Sequence, residues 1–292
     1  MNLGLIGLGT MGGPMLRRLH QAGHVAVGFD VDDEARTAVC DEVPTAASIT
    51  ELIEALPRPR TVWLMLPAGT ATDSTIETLC GLLAERDLVV DGGNSDFRDA
   101  PGHAARLGGL GVSFCDVGVS GGRWGWKTGY GLMVGGSAAD VERIEPALRS
   151  LAAPGGCAHV GPVGSGHLVK AIHNGIQYAI MQSYAEGYAL LSAHQAVDAL
   201  AAMRVYQNGC SIRSFLLEQM VAALQQNPAL HDVPSVVADS GMGRWTAEEA
   251  LRLAVPTPTL NSALQARFTS RDGGTAFRVL NLSRTQVGGQ HS

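Results

Sequence analysis

The feature that most constrains this 292-residue chain is a glycine triplet set between an apolar run and an amphipathic stretch at its start. Leu3-Gly4-Leu5-Ile6 leads into Gly7-Leu8-Gly9-Thr10-Met11-Gly12, and residues 11–21 then carry helical periodicity. A GxGxxG turn between strand and helix is the opening of a βαβ unit. Its glycines permit the tight turn and the close approach of backbone N–H groups to a pyrophosphate. The alternation continues downstream. Short apolar runs at 3–8, 25–29, 62–66, 88–90, 112–115, 132–134 and about 157–160 are separated by helix-like segments such as 72–84 and 138–151. Such alternation predicts a mostly parallel, doubly wound sheet. At Gly161-Pro162-Val163-Gly164-Ser165-Gly166 the pattern changes, and the rest reads as helices, beginning with a long one over about 167–193. The predicted architecture is therefore an α/β Rossmann-type doubly wound sheet over 1–163 followed by an all-α domain over 164–292. Two domains of roughly 150 residues each suit the length.

Composition narrows the class. Apolar residues make up 46% and charged residues 16%, which is a globular balance rather than a disordered one. A net charge of −6 gives no footprint for nucleic acid. No apolar run reaches the ~18 residues of a membrane span. The N-terminus lacks the basic region of a secretory signal. Cys40, Cys80, Cys115, Cys157 and Cys210 form an odd set with no CxxC pair. That set predicts reduced, buried thiols in a cytoplasmic protein, without disulfides or metal.

The second apolar run ends Gly28-Phe29-Asp30. An acid there accepts hydrogen bonds from an adenosine ribose and repels a 2′-phosphate. Val31 follows, and Arg36 is expected on the next helix. These residues predict NAD(H) as the preferred cofactor and NADP(H) as the second choice. The cofactor-binding set is Gly7, Gly9, Thr10, Met11, Gly12, Asp30, Leu66, Pro67 and Asn94.

Two further glycine-rich loops stand at strand ends, Asp91-Gly92-Gly93-Asn94-Ser95 and Gly118-Val119-Ser120-Gly121-Gly122. Open α/β sheets bind ligands beyond the carboxyl ends of their strands, so Ser120 and the N–H groups of Gly121 and Gly122 are candidates to hold a carboxylate. Plain turn chemistry explains the same residues without a ligand. On the long helix, Lys170, His173, Asn174 and Gln177 fall at i, i+3, i+4 and i+7, one helical face. Their neighbours Leu168, Val169, Ile172, Ile176 and Ile180 are apolar, so the helix is expected to be largely buried, with its polar stripe facing partners or a cavity. The chain has only two lysines, Lys127 and Lys170, among 21 basic residues. Arginine cannot release its proton near neutral pH, whereas a desolvated lysine can. Lys170 is therefore the candidate general base, Asn174 the candidate to orient a hydroxyl or an amide, and His173 a hydrogen-bonding residue.

With these motifs in place the chain resembles the decarboxylating 6-phosphogluconate dehydrogenases in their short bacterial form, within the wider β-hydroxyacid dehydrogenases. The resemblance runs over nearly the whole length. It is carried by Gly7–Gly12, Asp91-Gly92-Gly93-Asn94-Ser95, Gly118-Val119-Ser120-Gly121-Gly122, Lys170-Ala171-Ile172-His173-Asn174-Gly175-Ile176 and Gln207-Asn208-Gly209-Cys210-Ser211-Ile212-Arg213-Ser214. It implies that Lys170 takes the proton of the hydroxyl being oxidised. It implies that Asn94, Ser120, Gly121, Gly122, His173 and Asn174 contact substrate, and that Tyr178 and Arg213 hold a substrate phosphate. It further implies that Arg284 is an arginine contributed by a partner subunit's tail, and hence a homo-oligomer, dimer or tetramer, with shared sites.

Two departures from the family pattern stand out. The family's acid is a glutamate at the place of Gln177; it protonates the enediol carbon after decarboxylation. Gln177 donates a hydrogen bond but delivers no proton. Glu186, nine residues on, lies on the opposite helical face. The tail reads Gly288-Gly289-Gln290, with His291 one residue later than the family's histidine. The expected function is NAD(P)-dependent hydride transfer on a small anionic hydroxy/keto substrate (a phosphonate, phosphate or carboxylate) without decarboxylation. The alternatives are decarboxylating 6-phosphogluconate dehydrogenase and a non-catalytic dinucleotide sensor.

Overall fold

A computed structural model gives the architecture; it describes residues 1–270 and 274–287, apart from the Arg123 side chain. The chain divides into two compact units, Met1–Ala171 and the residues from Ile172 onward.

In the first unit, β1 (Asn2–Ile6), β2 (Val25–Phe29), β3 (Thr61–Leu64), β4 (Leu88–Asp91), β5 (Ser113–Ser120), β6 (Tyr130–Gly135) and β7 (Ala152–Gly161) form one sheet in the order β2-β1-β3-β4-β5-β6-β7. The first five strands run parallel, β6 is antiparallel to β5, and β7 returns parallel to β6. The helices between them are α1 (Gly12–Gln21), α2 (Asp33–Cys40), α3 (Ile49–Glu54), α4 (Thr70–Cys80), α5 (Ala100–Gly108), α6 (Gly125–Thr128) and α7 (Ala138–Leu151). Strands β3 and β4 are buried at every position, as central parallel strands with helices on both faces must be. One apolar cluster joins Leu3, Leu5, Trp63, Val90 and Val117 to Met15, Leu16 and Leu19 of α1 and Ile144 and Leu148 of α7. A second joins Ile6, Val62, Leu64 and Val89 to Leu52, Ile76, Leu79 and Leu107 on the other face. Side-chain caps start several helices: Asp32 accepts from Glu34 N–H, Ser48 from Glu51 N–H and Ser137 from Asp140 N–H. Each such cap satisfies a backbone donor that the helix itself leaves free.

The second unit is helical. Helix α8 (Ser165–Ala193) enters it, followed by α9 (Ala199–Tyr206), α10 (Phe215–Gln226), α11 (Met242–Arg252), α12 (Pro258–Thr269) and α13 (Thr275–Val287). Its core sets Met181, Ala185 and Tyr188 of α8 against Met203, Leu217, Met220, Val221, Leu224, Val279 and Leu280.

The Rossmann-type sheet followed by a helical domain is the expected fold. Two local expectations are corrected. Ile172, Ile176 and Ile180 are exposed in the chain, because the buried face of α8 is the one carrying Ala171, Tyr178, Ala179 and Met181. Of the five free cysteines only Cys115 is buried. Cys40 ends the solvent-facing α2, and Cys157 lies on the exposed edge strand β7.

Candidate active site

The carboxyl ends of β1 to β5 share one edge of the sheet, and each sends a loop with sequence-predicted residues beyond it. After β1, Gly7 takes φ 97°. A side chain there would bring Cβ within 2.4 Å of the Met65 carbonyl. At Gly12 a Cβ would stand 1.8 Å from the Gly7 carbonyl, so only glycine lets the first turn of α1 sit on that loop. At Gly9 a Cβ would meet nothing within 4 Å, so this backbone faces open space. Helix α1 starts without a side-chain cap and without an acid in its first turn, which leaves its N–H groups and partial positive charge to an anion. The three glycines thus fill the turn, approach and packing roles that a dinucleotide pyrophosphate requires. Thr10 and Met11 complete this turn.

Beyond β2, Asp30 accepts from Leu8 N–H at 2.6 Å and from Asp32 N–H at 3.0 Å. The acid thereby ties the glycine loop to the end of the second strand. Arg36, on α2 as expected, donates to the Asp30 carbonyl at 2.5 Å, pairs with Asp33 and stands 5.9 Å over the Phe29 ring. Beyond β3 the Pro67 carbonyl accepts from the buried Thr72 hydroxyl at 2.9 Å, and the Leu66 carbonyl lies so near Gly93 that a Cβ there would approach to 2.6 Å.

Beyond β4 the fully buried Asp91 carboxylate accepts from Gly93 N–H at 2.9 Å and from the Ser95 hydroxyl at 2.7 Å. Asn94, between buried Gly93 and Ser95, is exposed. Beyond β5 the chain turns at Gly121, φ 139°, and Gly122, φ 51°. The Gly121 carbonyl accepts from Trp124 N–H at 3.2 Å and Gly125 N–H at 3.0 Å, over the buried Tyr130 ring.

Lys170 lies on α8 with 6% of its surface exposed. A Cβ at Gly118 would come within 2.5 Å of its own Cβ, so the lysine stem rests on bare β5 backbone two residues before Ser120. Burial pushes its ammonium down from 10.5 to about 8. A lysine in that range exchanges a proton near neutral pH.

Farther along α8, in the second unit, His173, Asn174 and Gln177 are half-buried. His173 Nδ1 donates to Asn174 Oδ1 at 3.0 Å, and Gln177 Nε2 donates to Met181 Sδ at 3.7 Å. The Tyr178 hydroxyl meets Ser240 Oγ at 3.1 Å. Over its ring, 3.4 Å from the centroid, lies the guanidinium of Arg267, which sequence reasoning missed. Arg267 is 2% exposed and donates from Nη1 to the Ala238 carbonyl at 2.9 Å. Its Nε and Nη2 have no hydrogen-bond partner among the described residues. Burial pushes this guanidinium down to about 10; Arg284 of the same chain also lowers it, while Tyr178 and Asp239 raise it. Arg244 pairs with Asp239 at 2.7 Å. Buried cationic N–H groups without acceptors are costly, and an anion is what satisfies them. The signal was in the sequence: Arg267 continues the i, i+3, i+4, i+7 stripe Leu260, Ala263, Leu264 along α12, a charge where periodicity asks for an apolar residue. Arg213 lies exposed in the turn before α10, its N–H on the Cys210 carbonyl at 3.2 Å. The tail residues Gly288, Gly289, Gln290 and His291 lie outside the described residues.

A dinucleotide cradle at the carboxyl edge of a doubly wound sheet, with a buried lysine on the helix that follows, defines an NAD(P)-dependent oxidoreductase acting on a CH–OH group. Comparison with known proteins gives the family. Residues 2–161 match the NAD binding domain of 6-phosphogluconate dehydrogenase, and residues 166–284 match the 6-phosphogluconate dehydrogenase C-terminal domain. The chain belongs to the 6-phosphogluconate dehydrogenase family. It is 40% identical, over 99% of its length and 97% of the relative's, to an NAD(+)-dependent, decarboxylating 6-phosphogluconate dehydrogenase of Haloferax volcanii. It is similar to a solved Plasmodium falciparum 6-phosphogluconate dehydrogenase with 27% identity and TM-score 0.81, covering 92% of this chain and 62% of that one. A Salmonella typhimurium 3-hydroxyisobutyrate dehydrogenase shares the fold, with 22% identity and TM-score 0.82 over 96% of this chain and 99% of that one.

Proposed function

We propose that the protein moves a hydride between NAD(H) and a small anionic hydroxy or keto substrate (a phosphonate, phosphate or carboxylate) without an obligatory decarboxylation. The observation that carries this reading is a buried lysine followed on the same helix by an amide: burial pushes the Lys170 ammonium down to about 8, and Gln177 stands where the resemblance places the family's glutamate. Gly7, Gly9, Gly12 and Asp30 would hold the dinucleotide, whose nicotinamide supplies the hydride acceptor or donor. In oxidation Lys170 takes the hydroxyl proton as the carbinol carbon gives up its hydride. In reduction the ammonium returns that proton to the carbonyl oxygen. Ser120 and the N–H groups of Gly121 and Gly122 suit a carboxylate, and Arg267, Arg244 and Arg284 suit a phosphate or phosphonate. NAD(H) preference follows from Asp30, whose carboxylate opposes a 2′-phosphate, and from Arg36, already engaged with Asp33 and the Asp30 carbonyl.

The second reading is decarboxylating 6-phosphogluconate dehydrogenase, favoured by the name and full-length coverage of the Haloferax volcanii relative. A turnover screen with NAD(H) and NADP(H) decides between them by comparing 6-phosphogluconate with small keto and hydroxy phosphonates, phosphates and carboxylates. Release of CO₂ and ribulose 5-phosphate at ordinary rates overturns the first reading. We also propose a homo-oligomer, since Ile172, Ile176 and Ile180 form an exposed i, i+4, i+8 stripe. Light scattering that shows a fully active monomer excludes it.

A further inference from the structure

The first turn of α8 is joined to two different strands by buried polar groups. Asp116, at the middle of β5 and fully buried, accepts from Gly164 N–H at 2.6 Å and from His167 N–H at 2.8 Å. A carboxylate 48 residues away in sequence thus caps the helix that carries Lys170. No side chain intervenes. A Cβ at Gly166 would come within 2.5 Å of the Asp116 and Met133 carbonyls, and one at Gly135 within 2.4 Å of Asp116 Oδ1. His167, 1% exposed, then crosses to β4, where its Nε2–H donates to the Asp91 carbonyl at 3.1 Å. Asp91 is the residue whose carboxylate holds Gly93 and Ser95 on either side of Asn94. Lys170 stands one helical turn beyond His167.

We infer that His167 is a positioning residue that holds the Lys170 turn and the Asn94 loop in one register, with Asp116 anchoring the same turn to the strand that ends at Ser120. The inference rests on the reading of Lys170 as the proton carrier. His167 acts through the Lys170 turn and the Asn94 loop rather than on the reacting atoms. Its ring spans the gap between helix and strand that no backbone hydrogen bond crosses. Without the ring, the Asp91 carbonyl loses a buried partner and water enters beside Lys170. The titratable groups packed about this turn in the first unit are Asp91, Asp116 and His167, and His173 follows on the same helix.

The test uses the fact that the chain has two lysines. With lysine labelled at its ε-carbon, NMR follows both ammonium groups, Lys127→Arg assigns them, and exposed Lys127 serves as the control. His167→Gln keeps an N–H of similar reach; His167→Leu removes it. The expected result is a Lys170 midpoint near about 8 in wild type and in His167→Gln, moving toward 10.5 in His167→Leu while Lys127 stays fixed. Hydride turnover should fall about tenfold or more in the leucine variant. A folded leucine variant with reduced melting temperature but an unmoved Lys170 titration overturns the proposal. If that variant does not fold, His167→Asn, whose amide is too short to reach Asp91, takes its place with the same two outcomes. Failure of the functional reading is separate, because it appears as absent turnover in wild type whatever the lysine resonance does.

Discussion

The Arg267 guanidinium lies over the Tyr178 ring, 3.4 Å from its centroid, and two of its nitrogens have no hydrogen-bond partner among the described residues. On the reading proposed above, this buried cation serves an anionic substrate group. Arg267→Met removes hydrogen bonds to an anion worth about 2 kcal/mol, so KM for a phosphate or phosphonate substrate should rise roughly 30-fold. Cofactor affinity should not change. The melting temperature should hold, because methionine lifts the desolvation of a buried cation. Steady-state kinetics with the best anionic substrate checks this, and an unchanged KM removes Arg267 from the site.

On the proposed reading, Lys170 should set the pH dependence of turnover. With burial lowering its ammonium to about 8, oxidation, which needs the neutral amine, should rise as pH increases through that value. Reduction, which needs the ammonium, should fall over the same range. Opposite limbs with one shared midpoint, measured in the two directions, identify a single group. Lys170→Met should reduce turnover roughly 100-fold or more in both directions. Lys170→Arg should fare little better, since guanidinium keeps its proton.

Lys170 also shows how far the sequence could be read. Its i, i+3, i+4, i+7 stripe with His173, Asn174 and Gln177, together with the scarcity of lysine, marks it in the sequence alone. The glycine spacing at Gly7, Gly9 and Gly12 likewise fixed the sheet and its cofactor edge, because strand, turn and helix each demand local residue types. Arg267 is legible only as a charge in the apolar stripe of α12, not as a ligand group. Its role depends on Tyr178 beneath it, 89 residues earlier, and no local pattern reports such a contact. The Asp116 cap on α8 was hidden for the same reason. Ile172, Ile176 and Ile180 misled, because apolar periodicity tells which residues prefer cover and not whether their own chain supplies it.

The same lysine limits stability. Its folded midpoint lies at about 8, against 10.5 in the unfolded chain. Between those values the folded state binds fewer protons than the unfolded one, so stability should increase with pH across the window. Below about 8 both states are protonated, and the full cost, about 3 kcal/mol, is present. Lys170→Met should therefore be more stable than wild type at neutral pH and should lose the rise between the two midpoints. Chemical denaturation at several pH values measures both. A variant less stable than wild type at neutral pH shows that the ammonium has a stabilising partner.

The proposed NAD(H) preference rests on Asp30 and Arg36. The Asp30 carboxylate is oriented by Leu8 and Asp32 N–H groups, and a 2′-phosphate beside it would meet negative charge. kcat/KM should favour NAD(H) over NADP(H) by tenfold or more, the preference equal to about 1.4 kcal/mol. Asp30→Asn should narrow that ratio mainly by improving NADP(H). Equal efficiency with both cofactors in wild type would mean that Arg36 leaves Asp33 to meet the phosphate.

The proposed separation of hydride transfer from decarboxylation turns on Gln177. In the proposed reaction, oxidising a hydroxyl moves one proton, which Lys170 Nζ takes from the substrate oxygen. Losing CO₂ from the resulting keto acid leaves an enediol, whose carbon needs a proton from a second donor. The Gln177 amide, donating to Met181 Sδ at 3.7 Å, has no acidic proton to give. Gln177→Glu places a carboxyl group at that point on α8, one turn beyond His173 and Asn174. For the native substrate the change should be neutral or harmful, because a carboxylate near an anionic ligand raises KM. For 6-phosphogluconate it should create or increase CO₂ release, by roughly 10²-fold if the carboxyl acts as a general acid. Coupled measurement of reduced nicotinamide and CO₂ separates the two steps. A wild-type protein that forms both in equal amounts at ordinary rates shows that another group protonates the carbon. His173 and Tyr178 on the same helix are then the donors to substitute.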